Sequence, residues 1–168
     1  MRALKFFLPA LAALAMTGCA SYHLGPVMES DDKSVEVLPF NNETLQPRLG
    51  DSFTQAVRQR LQTDATYHLD TRGTGDFVVT GIVRQYRRLG MGYSSGDVVT
   101  PNNFRIEATV HVTARERSSG KLILDRDVMA RTLVHIGSDL ASSERQALPL
   151  LAEDFARNLT ELLTEGAW

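Results

Sequence analysis

Four arginines, Arg84, Arg87, Arg88 and Arg105, flank the 15 residues from Leu89 to Asn103, with Tyr86 among them. Guanidinium groups grip phosphate or carboxylate in bidentate fashion, so arginines converging where paired strands meet a loop would form a recognition surface for such groups. The same residues also fit the solvated polar face that antiparallel sheets ordinarily carry, and both readings stand. Catalysis has less support. His23, His68, His111 and His135 are scattered without metal-site spacing, and no nucleophile elbow, phosphate loop or zinc-protease motif occurs. Gly73-Thr74-Gly75 lacks a third glycine and reads as a turn. A non-enzymatic protein, with no metal and no cofactor, is expected.

A second constellation surrounds Cys19, the one cysteine in the chain. Arg2 and Lys5 precede an apolar run from Phe6 to Met16, broken only by Pro9, and Thr17 and Gly18 are small. That order is a secretory signal, too short for a spanning helix of about 20 residues. Met16-Thr17-Gly18-Cys19 resembles the lipobox of bacterial lipoproteins, with methionine where leucine is usual. The resemblance implies cleavage before Cys19 and lipidation of its thiol and new amino group. Several acyl chains, at about 0.8 kcal/mol per buried methylene, anchor a protein firmly without spanning the bilayer. Ala20 and Ser21 follow, and the absence of aspartate there resembles lipoproteins sorted to the outer membrane.

Removing residues 1–18 leaves 150 of 168, enough for one domain with its own core. A single cysteine excludes an internal disulfide, so packing must stabilise the fold. Losing Arg2 and Lys5 from 18 basic residues, against 20 acidic ones, leaves a formal charge of −4. Nothing in that balance suggests nucleic acid or another general polyanion as a partner. Residues 19–33 carry Gly25, Pro26, Asp31 and Asp32 and read as a tether; residues 34–168 form the domain.

Within the domain, Ser34–Phe40 predicts a strand with Val35 and Val37 on one face and Leu38 and Phe40 on the other, Pro39 lying at an edge or end. Asn41-Asn42-Glu43-Thr44 supplies turn chemistry. Pro47 suits a helix start, and Leu49, Phe53, Ala56, Val57 and Leu61 recur at helical spacing to about Gln62. Thr66–Asp70 fits a short strand. Phe77–Arg88 reads as a strand in which Gly81 marks a bulge or a close approach. Leu89–Asn103, rich in glycine, serine and asparagine, reads as a long loop, functional or mobile. Phe104–Arg117 alternates apolar and polar residues and returns through Ser118-Ser119-Gly120 as Lys121–Ile136. Ser143 can cap a final helix with Gln146 three residues on, and Pro149 is tolerated within two turns or else kinks it. The sum is an α+β fold: two helices packed on one face of a mainly antiparallel, roughly four-stranded sheet.

With these elements in place, the chain resembles the LPS-assembly lipoprotein LptE family. The resemblance is carried by Cys19-Ala20-Ser21-Tyr22-His23-Leu24, by Val37-Leu38-Pro39-Phe40-Asn41-Asn42-Glu43-Thr44, by Leu49 to Leu61, and by Gly75-Asp76-Phe77-Val78-Val79-Thr80-Gly81. Ala20 stands where the family has glycine. The resemblance implies a non-catalytic outer-membrane lipoprotein that plugs the β-barrel LptD, helps it assemble and supports lipopolysaccharide transport to the outer leaflet. Its partners would be LptD, lipopolysaccharide and, through acylated Cys19, the membrane lipid. Arg84, Arg87, Arg88 and Arg105 are the candidate lipopolysaccharide contacts, and Gly92, Tyr93 and Pro101 the candidate barrel contacts. Val35-Glu36-Val37-Leu38-Pro39-Phe40 before a helix also resembles lipoproteins that form secretion channels or activate cell-wall synthases. A channel needs alternating strands facing lipid, and Asp125-Arg126-Asp127 spoils that pattern.

Overall fold

The computed structural model describes residues 33–64, 66–94, 97–135 and 139–165, with only the backbone for 92–94, 97–100 and 102. The signal segment, Cys19 and the tether up to residue 32 lie outside the described residues. The elements run β1 (Ser34–Val37), β2 (Asn41–Asn42), α1 (Leu49–Thr63), β3 (His68–Asp70), β4 (Phe77–Ser94), β5 (Asp97–Glu116), β6 (Leu122–His135) and α2 (Leu140–Glu165). The strands form one sheet in the order β3-β1-β4-β5-β6, with β2 beside β4 beyond the end of β1.

The sheet is mixed and six-stranded among the described residues, which corrects the expected mainly antiparallel four. β4, β5 and β6 pair antiparallel as the alternation implies, but β1 pairs parallel with both β3 and β4, and β2 pairs parallel with β4. Strands of four, two and three residues are too short to show a period, so their number and direction were not legible. The parallel β1–β3 pair is possible because α1 carries the chain back across the sheet between them.

Pro39 sets the geometry of the first edge. It has no amide to donate, so β1 ends at Val37, and the chain re-enters the sheet at Asn41 opposite Ile82. Leu38 N–H still reaches the Val79 carbonyl at 3.0 Å, while the Arg58 Nη2 of α1 holds the Val37 carbonyl at 2.6 Å. The break turns Phe40 inward. Contrary to the alternation expected for an unbroken strand, Phe40 is buried in the same core as Val35 and Val37, and Leu38 is exposed. The turn chemistry begins at Asn42, whose Oδ1 accepts from the Thr44 N–H at 3.0 Å and from its hydroxyl at 2.7 Å. Asp76, just ahead of β4, accepts from Ser34 N–H and Oγ at 2.9 and 2.8 Å, and the Ser34 amide bond is the chief reason its carboxyl is held below the usual range.

α1 starts at Leu49, two residues after Pro47, behind Arg48 in the left-handed region at φ 61. Leu49, Phe53, Val57 and Leu61 are buried as their spacing implies. α2 starts at Leu140, before Ser143, because Asp139 is the cap: its oxygens accept from Ala141 and Ser142 N–H at 2.8 and 3.0 Å. Pro149 sits in the third turn, and the helix continues through it to Glu165. Both helices cover the same sheet face. Phe53 stacks on Phe155 at 4.8 Å between centroids, and Phe40 meets Phe155 edge-on at 5.8 Å.

Two glycines let these layers close. A Cβ on Gly50 would stand 2.4 Å from the Phe40 carbonyl oxygen, and one on Gly81 would stand 2.9 Å from the Phe40 ring. Gly81 therefore marks the close approach, and the bulge lies further on, between Val83 and Gln85. Replacing a helical glycine by alanine normally gains about 1 kcal/mol. Here the new methyl must push backbone apart, so Gly50→Ala should instead destabilise, by roughly 1–3 kcal/mol in urea unfolding. A variant as stable as the parent would show that α1 does not rest on Phe40.

Candidate functional site

The bulge between Val83 and Gln85 organises the candidate site. Before it, Phe77, Val79 and Val83 face the helices; after it the phase reverses, so Tyr86 and Arg88 face the helix side, opposite Ala108 and Ile106. Arg84, Arg87 and Arg105 stay on the sheet face that no described helix covers. The bulge thus splits the four candidate arginines into three and one.

On the open face, Arg84 lies 3.7 Å from Asp127, and Arg87 lies 3.6 Å from Glu107 directly across the ladder. Arg105 Nε stands 2.9 Å from the other oxygen of Glu107, out of line for a hydrogen bond. Next along β5, His111 sits between Asp125 at 3.1 Å and Asp127 at 2.9 Å, and Thr80 and Thr113 share a hydrogen bond of 2.6 Å. These pairs half-neutralise the cluster: an incoming phosphate must compete with Glu107 and Asp127 for the same guanidinium edges. The expected polar sheet face and three of the four expected arginines are the same surface.

Arg88 belongs to a separate arrangement. Its guanidinium reaches Glu144 at 3.1 Å, and Tyr86 donates its hydroxyl to the other oxygen of that carboxylate. Glu144 is buried in the first turns of α2, where a helix N-terminus favours negative charge. Burial, then the bond to Glu144 and its charge, push the Tyr86 phenol far above the ordinary tyrosine range. Glu144 falls on the same stripe as Ala147, Leu148 and Leu151, and a carboxylate on an apolar stripe demands a partner; that signal was in the sequence.

Of the stretch Leu89–Asn103, expected as a loop, residues 89–94 and 97–103 are strand. β4 runs to Ser94 and β5 starts at Asp97, pairing through Gly92↔Asn103, Tyr93↔Pro101 and Ser94↔Asp97 with register shifts at Gly90, Gly92 and Tyr93. Glycine and serine erase the side-chain period without preventing main-chain pairing. β6 ends at His135 opposite Asn103, so at Pro101 the strand β5 has β4 as its only described neighbour, and Pro101 falls between register shifts, where proline is tolerated. Gly92, Tyr93 and Pro101 sit on the far part of this arm. At its base, Met91, Arg105, Arg131, Thr132, Leu133 and Asp154 line a cleft of about 600 Å³, with Leu133 68% exposed. No group of three or more His, Cys, Asp or Glu able to hold a metal occurs among the described residues, and none of their helices is long and apolar enough to cross a membrane.

Residues 33–163 match the family profile described as LptE, lipopolysaccharide-assembly. The chain belongs to the LptE family. That family serves lipopolysaccharide assembly rather than catalysis, in line with the expectation of a non-enzymatic protein. No curated relative matches the sequence. Among solved structures, the hypothetical protein CT253 from Chlamydia trachomatis superposes with a TM-score of 0.58 at 16% identity, covering 80% of this chain and 97% of that one. Protein XCC0632 from Xanthomonas campestris gives 0.55 at 12%, covering 84% and 92%. A minor lipoprotein from Acinetobacter baumannii gives 0.53 at 13%, covering 80% and 94%. At such identities the likeness is one of fold. In this LptE-family chain the fold holds the strands of the arm on a two-helix base.

The Tyr86–Glu144–Arg88 contacts tie that arm to α2, and they carry a pH signature. The folded state holds the phenol proton more tightly than the unfolded chain, whose tyrosines titrate near pH 10. Stability is therefore full below about pH 10 and is lost as pH rises above it. Tyr86→Phe should flatten that alkaline loss in thermal melts taken from pH 8 to 11. An unchanged profile would place the phenol outside the folded-state balance.

Proposed function

We propose that this chain is an outer-membrane lipoprotein, anchored through acylated Cys19, that plugs and helps assemble the LptD β-barrel for lipopolysaccharide transport to the outer leaflet. Family membership supports the lipopolysaccharide-assembly part. The observation that carries the plug reading is the open sheet face: Arg84, Arg87, Arg105, Glu107, His111 and Thr113 leave it polar and internally paired, with no helix over it among the described residues. A barrel lumen is wet and lined by polar side chains, so a plug needs a surface that exchanges hydrogen bonds rather than apolar area. The arm bearing Gly92, Tyr93 and Pro101 extends that surface and is the proposed barrel contact. Family membership does not favour the secretion-channel or cell-wall-synthase alternative.

Arg84, Arg87 and Arg105 remain the proposed lipopolysaccharide contacts. Arg88 serves the Glu144 pairing, and changing it would disturb the base of the arm. Near them, Met91 and Leu133 supply apolar surface beside cationic groups, which suits an amphiphile with anionic headgroups.

Gentle solubilisation of outer membranes followed by capture on a C-terminal tag should bring down one large β-barrel at about equal stoichiometry. Rings of the chain alone, or a cell-wall synthase, would overturn the plug reading. Replacing residues 92–101 by an Asn-Gly turn should abolish capture of the barrel while the melting transition persists, and retained capture would remove the arm from the interface. The double variant Arg84→Gln and Arg87→Gln should weaken lipopolysaccharide binding several-fold with an unchanged circular dichroism spectrum; unaltered binding would sink the arginine assignment.

A further inference from the structure

β6 is the last strand of the sheet among the described residues, so one side of its backbone meets no described strand. Along an antiparallel strand, residues that exchange both main-chain bonds with the neighbour alternate with residues whose N–H and C=O both point away. The Arg131 N–H donates to Asp154 Oδ2 at 3.0 Å, and the Met129 carbonyl accepts from Asn158 Nδ2 at 2.9 Å. Those two bonds identify the odd-numbered residues as the outward ones. By the same alternation the N–H and C=O of Asp125 and Asp127 point off the edge, and no described residue bonds to them. α2 seals the edge at Met129 and Arg131 with its own side chains and leaves it open just before them.

Beside that open length, between β6 and the C-terminal half of α2, lie two adjoining hollows of about 310 and 410 Å³ that share Arg126, Leu162 and Glu165. The helix wall presents Glu161 and Glu165, one turn apart and both exposed, with no ion pair among the described residues. Like charges at that spacing repel mildly, so a cation between them would be welcome.

We propose that this groove takes an extended, basic segment of a partner protein as an added strand along β6. Strand addition satisfies the four outward groups of Asp125 and Asp127 and sets alternate side chains toward the helix wall, where lysine or arginine meets Glu161 and Glu165. Leu124 to Val128 spans about 16 Å, so the segment is about five residues long, and Asn158 with Asp154 closes one end. A second copy of this chain does not fit, because edge-to-edge pairing would bring the aspartates of two β6 strands together. The phosphates of a glycolipid are repelled by the same carboxylates. Asp125, Asp127, Glu161 and Glu165 outnumber Arg126, the one cation lining the groove among the described residues, so it differs in charge from the arginine face, which it adjoins at Asp127.

Fluorescence anisotropy of the full chain in detergent tests this, using a labelled Thr-Lys-Val-Lys-Val-Lys-Thr peptide. The peptide should bind, and its twin with glutamate for lysine should bind at least tenfold more weakly. Of two versions N-methylated on alternate sets of amides, one should lose binding and the other keep it. Glu161→Lys with Glu165→Lys should weaken binding at least tenfold with an unchanged circular dichroism spectrum. No binding, equal binding of the charge twin, retention by both N-methylated peptides or indifference to the lysine substitutions would each overturn the proposal. So would a sedimenting dimer that the peptide dissociates, which would make a second copy the occupant.

Discussion

Phe40 is the point on which the other layers rest. Its N–H donates to Thr54 Oγ1 of α1 at 2.9 Å, its carbonyl abuts Gly50 of the same helix, its ring lies flat against Gly81 of β4, and its edge meets Phe155 of α2. One residue thereby fixes the height of both helices above the sheet. Thr54 is itself buried, and it passes the bond on by donating to the Gly50 carbonyl at 2.8 Å, so its hydroxyl both accepts and donates. Backbone contact at Gly50 makes the spacing stiff, since a carbonyl cannot repack as a side chain does.

From that base the sheet divides into two kinds of surface. The helix-covered face carries the apolar core, from Val35 to Val134, interrupted where Tyr86 and Arg88 meet Glu144. The other face is a chain of ion pairs and hydroxyl contacts: Arg87 on β4 meets Glu107 on β5, Arg84 reaches across to Asp127 on β6, and Arg105 lies beside Glu107 of its own strand. Exposed pairs of this kind contribute little to stability, roughly 0–1 kcal/mol each. Their arrangement is better understood as keeping a broad sheet face wet and soluble while leaving groups that can be exchanged for those of a partner.

The bulge after Val83 has consequences out of proportion to its size. By adding one residue to β4 it sends Tyr86 and Arg88 beneath the start of α2, where Glu144 waits, and it leaves Arg84 and Arg87 outside. The base of the arm is held by a buried carboxylate, while its far part has only its own hairpin for support among the described residues. The edge of β6 shows a similar division of labour: α2 closes part of it with Asp154 and Asn158 and leaves the acidic part open. Charged edges ordinarily guard against promiscuous pairing, and a charged edge beside a groove turns the same guard into a filter for cationic strands.

The local patterns in the sequence determined a good deal of this protein. The 3.6-residue recurrence of Leu49, Phe53, Val57 and Leu61, and of Leu151, Phe155, Leu159 and Leu163, reflects burial of one helix stripe, and the alternation from Phe104 to Ala114 reflects a sheet with one covered face. The motif order from Val37 to Gly81 was enough to suggest the family. Tertiary structure alone decided three other matters. Strands of two to four residues acquire their direction from the neighbours they pair with, so the parallel half of the sheet had no local signature. Residues 89–94 and 97–103 pair through backbone groups that every residue but proline carries in full, so their glycines and serines could not reveal them as strand. The separation of Arg88 from the other arginines follows from a one-residue register shift, and register is a property of two strands together, absent from either one read alone.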